Sequence, residues 1–318
     1  MNIYKLNDIS KLPFGTAVTV GMFDGVHIGH RHILTRLMAQ AARRDLRPVV
    51  VTFDNHPRQV LKSDRASSFR VNTNEERYAL LRQYGVQDIV EIHFTPEAAR
   101  LSACEFFEQV LVARLGIEEL VLGYDNMFGN RSRNDFDRLP ALAARHGVGV
   151  TIDTAVTFGG IEVSSTKIRN ALLNGDVRLA AEMLGYRYRL WGTIVRGRQV
   201  GRKLGFPTAN VCLDDATKVL PADGVYAVLV TLPAGEGEKF GMANFGGQPT
   251  FGLEKPVFEV NIFDYDGDLY GQELKVEFAA RLREVRKFDG IGDLVAQLNA
   301  DRAEAKEVLR TVNCELTI

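Results

Sequence analysis

Two histidines, His27 and His30, stand three residues apart in a glycine-rich segment, 21–30. The segment directly follows a β-branched run, 18–20, and opens an amphipathic helical pattern. A glycine-rich turn between a strand and a helix offers backbone N–H groups and a helix N-terminus, both of which favour phosphate. The spacing lets both imidazoles face one phosphate, and Gly29 leaves room for close approach by a nucleotide. The segment therefore predicts a phosphate-binding turn.

Other interpretations of the two histidines stay open at this point. A histidine pair at this spacing can belong to a metal site, or it can cap the helix as a purely structural feature. A P-loop is excluded, because no G-x4-G-K-S/T pattern occurs and the nearest segment, 197–203, has the wrong spacing. A dinucleotide-binding G-x-G-x-x-G is also missing after the first strand.

Two more segments are expected near the same edge of the sheet. Thr-Phe-Asp-Asn-His-Pro, 52–57, ends the second predicted strand. Val-Ser-Ser-Thr-Lys-Ile-Arg, 163–169, follows the fifth strand and starts a helix. Its hydroxyls, helix N-terminal amides and two cations suit β- and γ-phosphates. Alone it would be an ordinary helix cap with a solvated basic face, but beside the histidine pair it favours phosphate binding.

The second half of the chain has its own candidate at 201–210, Gly-Arg-Lys-Leu-Gly-Phe-Pro-Thr-Ala-Asn. Glycine and proline fix a tight turn, after which Thr208 and Asn210 present a hydroxyl and an amide on one side of an extended segment. Such an oxygen pair can hold Mg²⁺ and the phosphates that it bridges, although a simple turn entering a strand has the same pattern. Glu259 lies between two apolar residues of a predicted strand and faces away from them, as a base or a solvent-facing residue would.

Alternating elements position the segments of the first half. Capping boxes predict helix starts at Thr73 and Ser102. Glycines predict three helix ends, at Gly85, Gly116 and Gly147. Strands that alternate with helices at this spacing predict a doubly wound parallel sheet, which binds ligands at the carboxyl ends of its strands. The predicted strands are 18–20, 49–53, 88–92, 120–122 and 148–152.

The pattern changes near residue 185, where short strands separated by glycine and proline turns begin. They predict a small antiparallel β-barrel, closed by one amphipathic C-terminal helix, with a hairpin signal at Asp266-Gly267. We therefore predict an α/β domain over 1–185 and a barrel domain over 186–318. The predicted barrel strands are 190–195, 225–230, 258–263 and 274–278.

Composition narrows the class of protein. The 318 residues are 46% hydrophobic and 25% charged, which excludes disordered and low-complexity classes. A net charge of −1 gives no basic field for nucleic acid or a membrane surface. Three scattered cysteines, Cys104, Cys212 and Cys314, favour neither disulfides nor a thiolate zinc site. Without a signal-peptide pattern or a long apolar run, we expect a cytoplasmic protein without nucleic-acid or membrane partners.

Four segments in the first half, in this order, carry a resemblance: Gly-Met-Phe-Asp-Gly-Val-His-Ile-Gly-His, Thr-Phe-Asp-Asn-His-Pro, Leu-Gly-Tyr-Asp-Asn-Met-Phe-Gly and Val-Ser-Ser-Thr-Lys-Ile-Arg. They resemble the adenylyltransferase half of the bacterial bifunctional riboflavin kinase/FAD synthetase family. The resemblance implies a Rossmann-like nucleotidylyltransferase domain that transfers AMP from ATP to FMN, with Mg²⁺ and release of pyrophosphate. It implies His27 and His30 as catalytic residues on the ATP phosphates. The implied nucleotide-binding residues are Gly21, Phe23, Asp24, Gly25, His27, Gly29, His30, Asp54, His56, Asp125, Ser165, Thr166 and Arg169.

Pro-Thr-Ala-Asn in the second half is the signature of the riboflavin kinase family, and the segments 241–250, 258–264 and 268–271 follow in family order. The resemblance implies a barrel that phosphorylates riboflavin to FMN with MgATP. It implies Glu259 as the catalytic base, with Mg²⁺ on Thr208 and Asn210. The implied ATP- and flavin-binding residues are Gly201, Gly205, Phe206, Pro207, Thr208, Asn210 and Asn244.

Three positions depart from the family pattern. Family members usually carry proline at the position of Asn55 and an aromatic residue at that of Asn126, and many have arginine at that of Gln248. Two alternatives remain. One is a nucleotidylyltransferase for another small phosphorylated acceptor, because the histidine motif alone does not choose the acceptor. The other is a non-catalytic flavin- or nucleotide-binding protein, which the intact motif residues argue against.

Overall fold

The computed structural model describes residues 1–55, 70–124, 128–130, 133, 135–197, 200–215, 217–248 and 253–315. The chain divides into two compact units, Met1–Ser165 and Thr166–Ile318. The domain boundary that the composition change places near residue 185 stays a prediction.

Within the described residues, the first unit contains a sheet of six parallel strands in the order β1-β4-β3-β2-β5-β6. All five residues of β2 are buried, as the run of β-branched residues predicts for a central parallel strand. β3 and β4 lie on one side of β2, and β5 and β6 lie on the other. This reversal makes the carboxyl end of β2 the topological switch point, where open α/β sheets bind ligands. The strands are β1 Asn2–Lys5, β2 Thr16–Val20, β3 Arg47–Phe53, β4 Asp88–Ile92, β5 Ile117–Leu122 and β6 Gly149–Ile152.

Helices connect the strands of this sheet. Both predicted capping boxes are present, at Thr73 and Ser102, and the predicted glycine stops have positive φ angles. A π-helical segment, Phe107–Val112, joins two short helices, and the hairpin of β7 (Thr157–Phe158) and β8 (Ile161–Glu162) follows the sheet. The helices are α1 Ile28–Arg43, α2 Asn74–Gln83, α3 Ala103–Phe106, α4 Ala113–Leu115 and α5 Leu139–Arg145, with 3₁₀ turns at Leu6–Asp8, Ala98–Arg100 and Phe136–Arg138.

The second unit is built on a closed barrel, in which the described strands pair antiparallel in the order β10-β13-β12-β11-β14-β9. The predicted fold class is therefore confirmed for both halves. The strands are β9 Arg189–Val195, β10 Ala209–Leu213, β11 Gly224–Thr231, β12 Glu238–Gln248, β13 Leu253–Ile262 and β14 Glu273–Arg283. The helices are α6 Ser165–Leu173, α7 Val177–Leu184, α8 Val200–Lys203 and α9 Ile291–Glu315, with a 3₁₀ turn at Pro233–Gly235.

The C-terminal helix α9 packs on the outer face of the barrel, as its apolar stripe predicts. Ala227 and Leu229 of β11 form a core cluster with Ala305 and Leu309 of α9. Because the barrel interior covers the other face, β11 is buried on both sides over most of its length. Among the described helices, none has the length and apolarity that crossing a membrane would require.

The hairpin predicted at Asp266-Gly267 is wrong. β13 pairs with β10 and β12, whereas β14 pairs with β11 and β9, so the strands on either side of this dipeptide are not neighbours. Barrel closure gives both edges of each strand to other partners, and the segment 263–272 therefore crosses between strands instead of reversing the chain.

Candidate active sites

The turn after β2 holds an unusual backbone. Phe23 and Val26 have φ angles of +50° and +36°, which side chains other than glycine rarely adopt, and Gly25 lies at +86°. The side chains of Phe23 and Val26 are fully buried, so packing stabilises the strained conformation. The Gly21 N–H donates to the Val51 carbonyl at 3.0 Å, which fixes the start of the turn against β3.

The predicted histidine pair is brought together at the start of α1. His27 is the N-cap, and its Nδ1 accepts a hydrogen bond from the His30 N–H at 3.3 Å. The two imidazole rings stack with centroids 3.6 Å apart and an interplanar angle of 17°. A Cβ at Gly29 would lie 3.2 Å from Nδ1 and Cε1 of His27, so glycine lets the first imidazole fold over the helix start.

The surroundings of His30 keep its imidazole neutral. Burial lowers the pKa of His30 well below its ordinary value of 6.5, and the nearby His27 and Arg77 lower this pKa further. Nδ1 of His30 is buried and has no hydrogen-bond partner among the described residues. A neutral imidazole retains one N–H donor, which is the group that a phosphate oxygen needs.

Hydrogen bonds of Asp24 and Ser165 connect the turn to neighbouring segments of the chain. Oδ1 of the buried Asp24 accepts hydrogen bonds from the backbone N–H groups of Val71 at 2.9 Å and Asn72 at 3.2 Å. The Ser165 hydroxyl donates to the Asp24 carbonyl at 2.8 Å. The helix start that the sequence places at 165 thus contacts the glycine-rich turn, while direct contact of either side chain with a nucleotide stays a prediction.

Asp54 and Asn55 connect the ends of β3 and β4. The Asp54 carboxylate lies 2.9 Å from Nδ1 of His93. Asn55 donates from Nδ2 to the Phe94 carbonyl at 2.9 Å and accepts from the Phe94 N–H at 2.7 Å. The Asn55 side chain thus forms the pair of hydrogen bonds that a neighbouring strand would form with the Phe94 backbone.

The remaining residues predicted for this site carry less structural information. Thr166 and Arg169 lie near the start of α6, where Nη1 of Arg169 donates to Oγ1 of Thr166 at 3.3 Å. Their contact with phosphate stays a prediction. His56 and Asp125, like Asn126, lie outside the described residues.

The Pro-Thr-Ala-Asn turn of the second unit rests on the short helix α8. The Phe206 N–H donates to the Gly201 carbonyl at 2.9 Å, and Gly205 has a φ angle of +80°. A Cβ at Gly201 would overlap the Phe206 carbonyl oxygen and would lie 3.3 Å from Oγ1 of Thr208. Gly201 is therefore required for the close approach of helix and turn.

Strand register assembles the polar residues of the barrel site. Asn210 of β10 is the cross-strand partner of Glu259 on β13, and Glu259 is the partner of Asn244 on β12. Cross-strand partners point to the same face of a sheet, so two amides flank the carboxylate. Phe258 and Val260 are buried on the opposite face, as the alternation in the sequence predicts.

Asn261 is a residue of this site that sequence reasoning missed. It follows Glu259 by two positions and lies on the same face of β13. Nδ2 of the buried Asn261 donates to the Pro207 carbonyl at 2.6 Å, which ties the turn to the strand of the predicted base. The period of two along β13 is the sequence signal that could have identified it.

Two cavities flank Pro207. One of about 650 Å³ is bordered by Arg202, Thr208, Ala209 and the segment 265–270. The other, of about 400 Å³, is bordered by Gly205, Asn261 and Arg302. The described residues include no group of three or more His, Cys, Asp or Glu side chains that could hold a metal ion. That the hydroxyl and amide oxygens of the turn bind a cation held mainly by phosphates stays a prediction.

A histidine pair at the switch point of a parallel sheet, followed by a barrel with a Thr-Asn-Glu set, defines a two-part, nucleotide-dependent transferase. A family model described as FAD synthetase matches residues 10–167, and one described as riboflavin kinase matches residues 184–309. The chain belongs to the bifunctional riboflavin kinase/FMN adenylyltransferase family. A relative with that name from Haemophilus influenzae is 35% identical over 95% of this chain and 96% of its own length. Another, from Pseudomonas fluorescens, is 37% identical over 92% of each chain.

A solved structure is similar over nearly the whole chain. It is a crystal structure from Streptococcus pneumoniae described as a macrolide-efflux protein, 33% identical, with a TM-score of 0.83 over 96% of this chain and 99% of that chain. The likeness confirms the architecture.

Proposed function

We propose that the chain makes FMN and then FAD, consuming one ATP in each step. The barrel transfers the γ-phosphoryl group of ATP to the 5′-hydroxyl of riboflavin and releases ADP. The parallel unit joins the FMN phosphate to the α-phosphorus of a second ATP and releases pyrophosphate. The observation that carries the proposal is the row Asn210–Glu259–Asn244 in one unit together with the stacked His27–His30 pair in the other. The use of ATP favours the cytoplasmic location predicted from the sequence.

In the adenylyl transfer, the turn between β2 and α1 receives the triphosphate. The start of α1 supplies backbone N–H groups and the positive end of the helix dipole. Neutral His30 donates a hydrogen bond to the charge that develops as pyrophosphate leaves, and His27 holds its position by capping the same helix. No covalent enzyme intermediate is needed, because positioning and charge stabilisation account for the rate.

In the kinase reaction, Glu259 orients the riboflavin hydroxyl and takes its proton. Thr208, which borders the 650 Å³ cavity, and Asn210 fit Mg²⁺, because both offer neutral oxygens and leave most ligand positions to phosphate and water. Mg²⁺ supplies neutralisation of the charge on the transferred phosphoryl group. Asn261 holds the Pro207 carbonyl, so the turn keeps its place relative to Glu259.

A crossed pair of variants tests this division of labour, with incubation of the full chain with MgATP and chromatography for FMN and FAD. His30→Ala should lower FMN adenylylation by roughly 10²-fold or more and leave riboflavin phosphorylation unchanged. Glu259→Gln should slow FMN formation by roughly 10²–10⁴-fold and leave FAD formation from supplied FMN unchanged. His146→Ala and Glu277→Gln, both outside the two sites, are the matched controls and should keep both rates.

Each outcome decides one assignment. Wild-type FAD formation by His30→Ala would refute the histidine site, and wild-type FMN formation by Glu259→Gln would refute the base. Failure of the unmodified chain to use riboflavin or FMN, with turnover of another phosphorylated acceptor, would favour the alternative transferase.

A further inference from the structure

A buried arginine, Arg77, donates a hydrogen bond to the turn that carries His27. The function proposed above gives this residue no role. Arg77 lies on α2 and is 3% exposed. Its Nη1 donates to the Met22 carbonyl at 3.1 Å, and its Nη2 donates to the Phe53 carbonyl at 2.7 Å. One guanidinium therefore joins the chain just after β2 to the last residue of β3.

The start of α2 holds the same region through further contacts. Asn74 donates from Nδ2 to the Asp54 carbonyl at 2.7 Å, and Arg70 donates to that carbonyl at 3.1 Å. Oδ1 of Asn74 accepts from Nη2 of Arg77 at 3.0 Å and from Nη1 of Arg70 at 3.2 Å. In the opposite direction, Asp24 accepts from two backbone N–H groups just before α2. We call Arg70, Asn74 and Arg77 the α2 clamp.

The clamp acts where the backbone needs support. Arg77 donates to the Met22 carbonyl, and Asp24 accepts from the backbone N–H groups of Val71 and Asn72, which follow Arg70 in the chain. Met22 and Asp24 flank Phe23, whose φ angle is +50°. A strained residue persists only when the surrounding structure holds it. Burying a charged guanidinium is itself unfavourable unless carbonyls receive its N–H groups, and the fork of arginine reaches two carbonyls that a lysine ammonium cannot reach together.

We propose that Arg77 is a positioning residue for adenylyl transfer, which acts by holding the Phe23–His27 turn in the conformation that receives the triphosphate. The inference rests on the adenylyl transfer proposed at this turn. Its positive charge also lies close enough to His30 to contribute to the lowered pKa of that imidazole, after burial and His27. Arg77 thus influences both the position of the turn and the pKa of His30.

The test measures kcat and KM of FMN adenylylation in the full chain for Arg77→Gln and Arg77→Lys. Arg77→Gln should lower kcat by roughly 10²-fold, as a misplaced reacting group does, with KM for FMN changed less than about threefold. Arg77→Lys keeps the charge but not the fork, so its kcat should fall by roughly tenfold. Riboflavin phosphorylation should keep its wild-type rate in both variants.

Arg114→Gln is the matched control. Arg114 donates from Nε to the Ile9 carbonyl at 3.1 Å and also from Nη2, but it lies just before the amino end of β5, whereas the histidine turn follows the carboxyl end of β2. Its loss should lower Tm without lowering kcat of adenylylation at 25 °C. Equal kcat in Arg77→Gln and Arg114→Gln would overturn the proposal.

Further results separate the possible failures. If Arg77→Gln does not fold, wild-type kcat in a folded Arg77→Lys variant would overturn the proposal by itself. If the unmodified chain makes no FAD from FMN and MgATP, the proposed function fails. If His30→Ala leaves adenylylation intact, the assignment of the reaction to the histidine site fails. If His30→Ala abolishes adenylylation and both Arg77 variants keep wild-type kcat, only the positioning role fails.

Discussion

Gly201→Ala tests the barrel site by steric displacement alone. A Cβ at Gly201 would lie well inside 3.0 Å of the Phe206 carbonyl oxygen, a distance that real Cβ atoms keep from other heavy atoms, and 3.3 Å from Oγ1 of Thr208. The obstructing atom is backbone, so α8 and the segment 206–208 must separate, and Thr208 moves with them. A displacement approaching 1 Å at a positioning group costs roughly 10²-fold in rate. We therefore expect kcat/KM for riboflavin phosphorylation to fall by about 10²-fold, which is about 2.7 kcal/mol of transition-state stabilisation.

The assay follows FMN from riboflavin and MgATP by chromatography, with FAD formation from supplied FMN measured on the same preparation. Gly292→Ala is the control, since a Cβ at Gly292 meets no atom within 4 Å and alanine suits helix α9. It should keep both activities with an equal or higher Tm. A wild-type kinase rate in Gly201→Ala would refute the steric reasoning. Loss of both activities would instead mean that the substitution unfolds the chain and that the effect is not local.

Three other measurements follow from the structure. Because the pKa of His30 in the folded chain lies below its ordinary value, the unfolded chain binds more protons than the folded chain below pH 6.5. The free energy of unfolding should therefore fall by up to about 1.4 kcal/mol per pH unit on acidification. His30→Asn should lose this dependence in urea denaturation between pH 7.5 and 5.5, and parallel curves for the two proteins would contradict it. Asn55→Ala removes both hydrogen bonds to the Phe94 backbone and should lower the free energy of unfolding by about 1–3 kcal/mol in the same assay, whereas unchanged stability would show that water replaces them. The fragments 186–318 and 166–318 should both make FMN and no FAD. The longer fragment should have the higher Tm, because α7 packs against β14 and the Leu172 carbonyl at the end of α6 accepts from the Ala222 N–H. Equal Tm values would instead support the boundary near residue 185.

The sequence predicted those elements whose signals are local. Short apolar runs identified five of the six strands of the described parallel sheet, and side-chain chemistry identified both capping boxes. The edge strand β1 was missed because it is mostly exposed and, among the described strands, pairs with β4 alone. β10 was missed because it begins inside the Pro-Thr-Ala-Asn segment, which indicates a turn. β12 contains several glycines, which weaken a strand pattern. The hairpin prediction at Asp266-Gly267 was wrong because a turn dipeptide carries only local information. It does not show which strands pair when the barrel closes.

The same distinction between local and long-range sequence information applies to the residues of the two sites. Residues that could do the chemistry stand within short motifs, so type and spacing made His27 and Thr208 candidates. For Glu259 they left a base and a solvent-facing residue equally open, and the family resemblance implied the base. Residues that position them act over long sequence separations: Arg77 holds a carbonyl 55 positions away, and Asn261 holds one 54 positions away. An arginine on an amphipathic helix normally indicates a solvent-exposed face, and only the packed structure shows that this one is buried against two strand ends. The motif therefore specifies which groups react, whereas the tertiary contacts that fix their positions need not resemble any motif. Variants such as Arg77→Lys test those tertiary contacts directly.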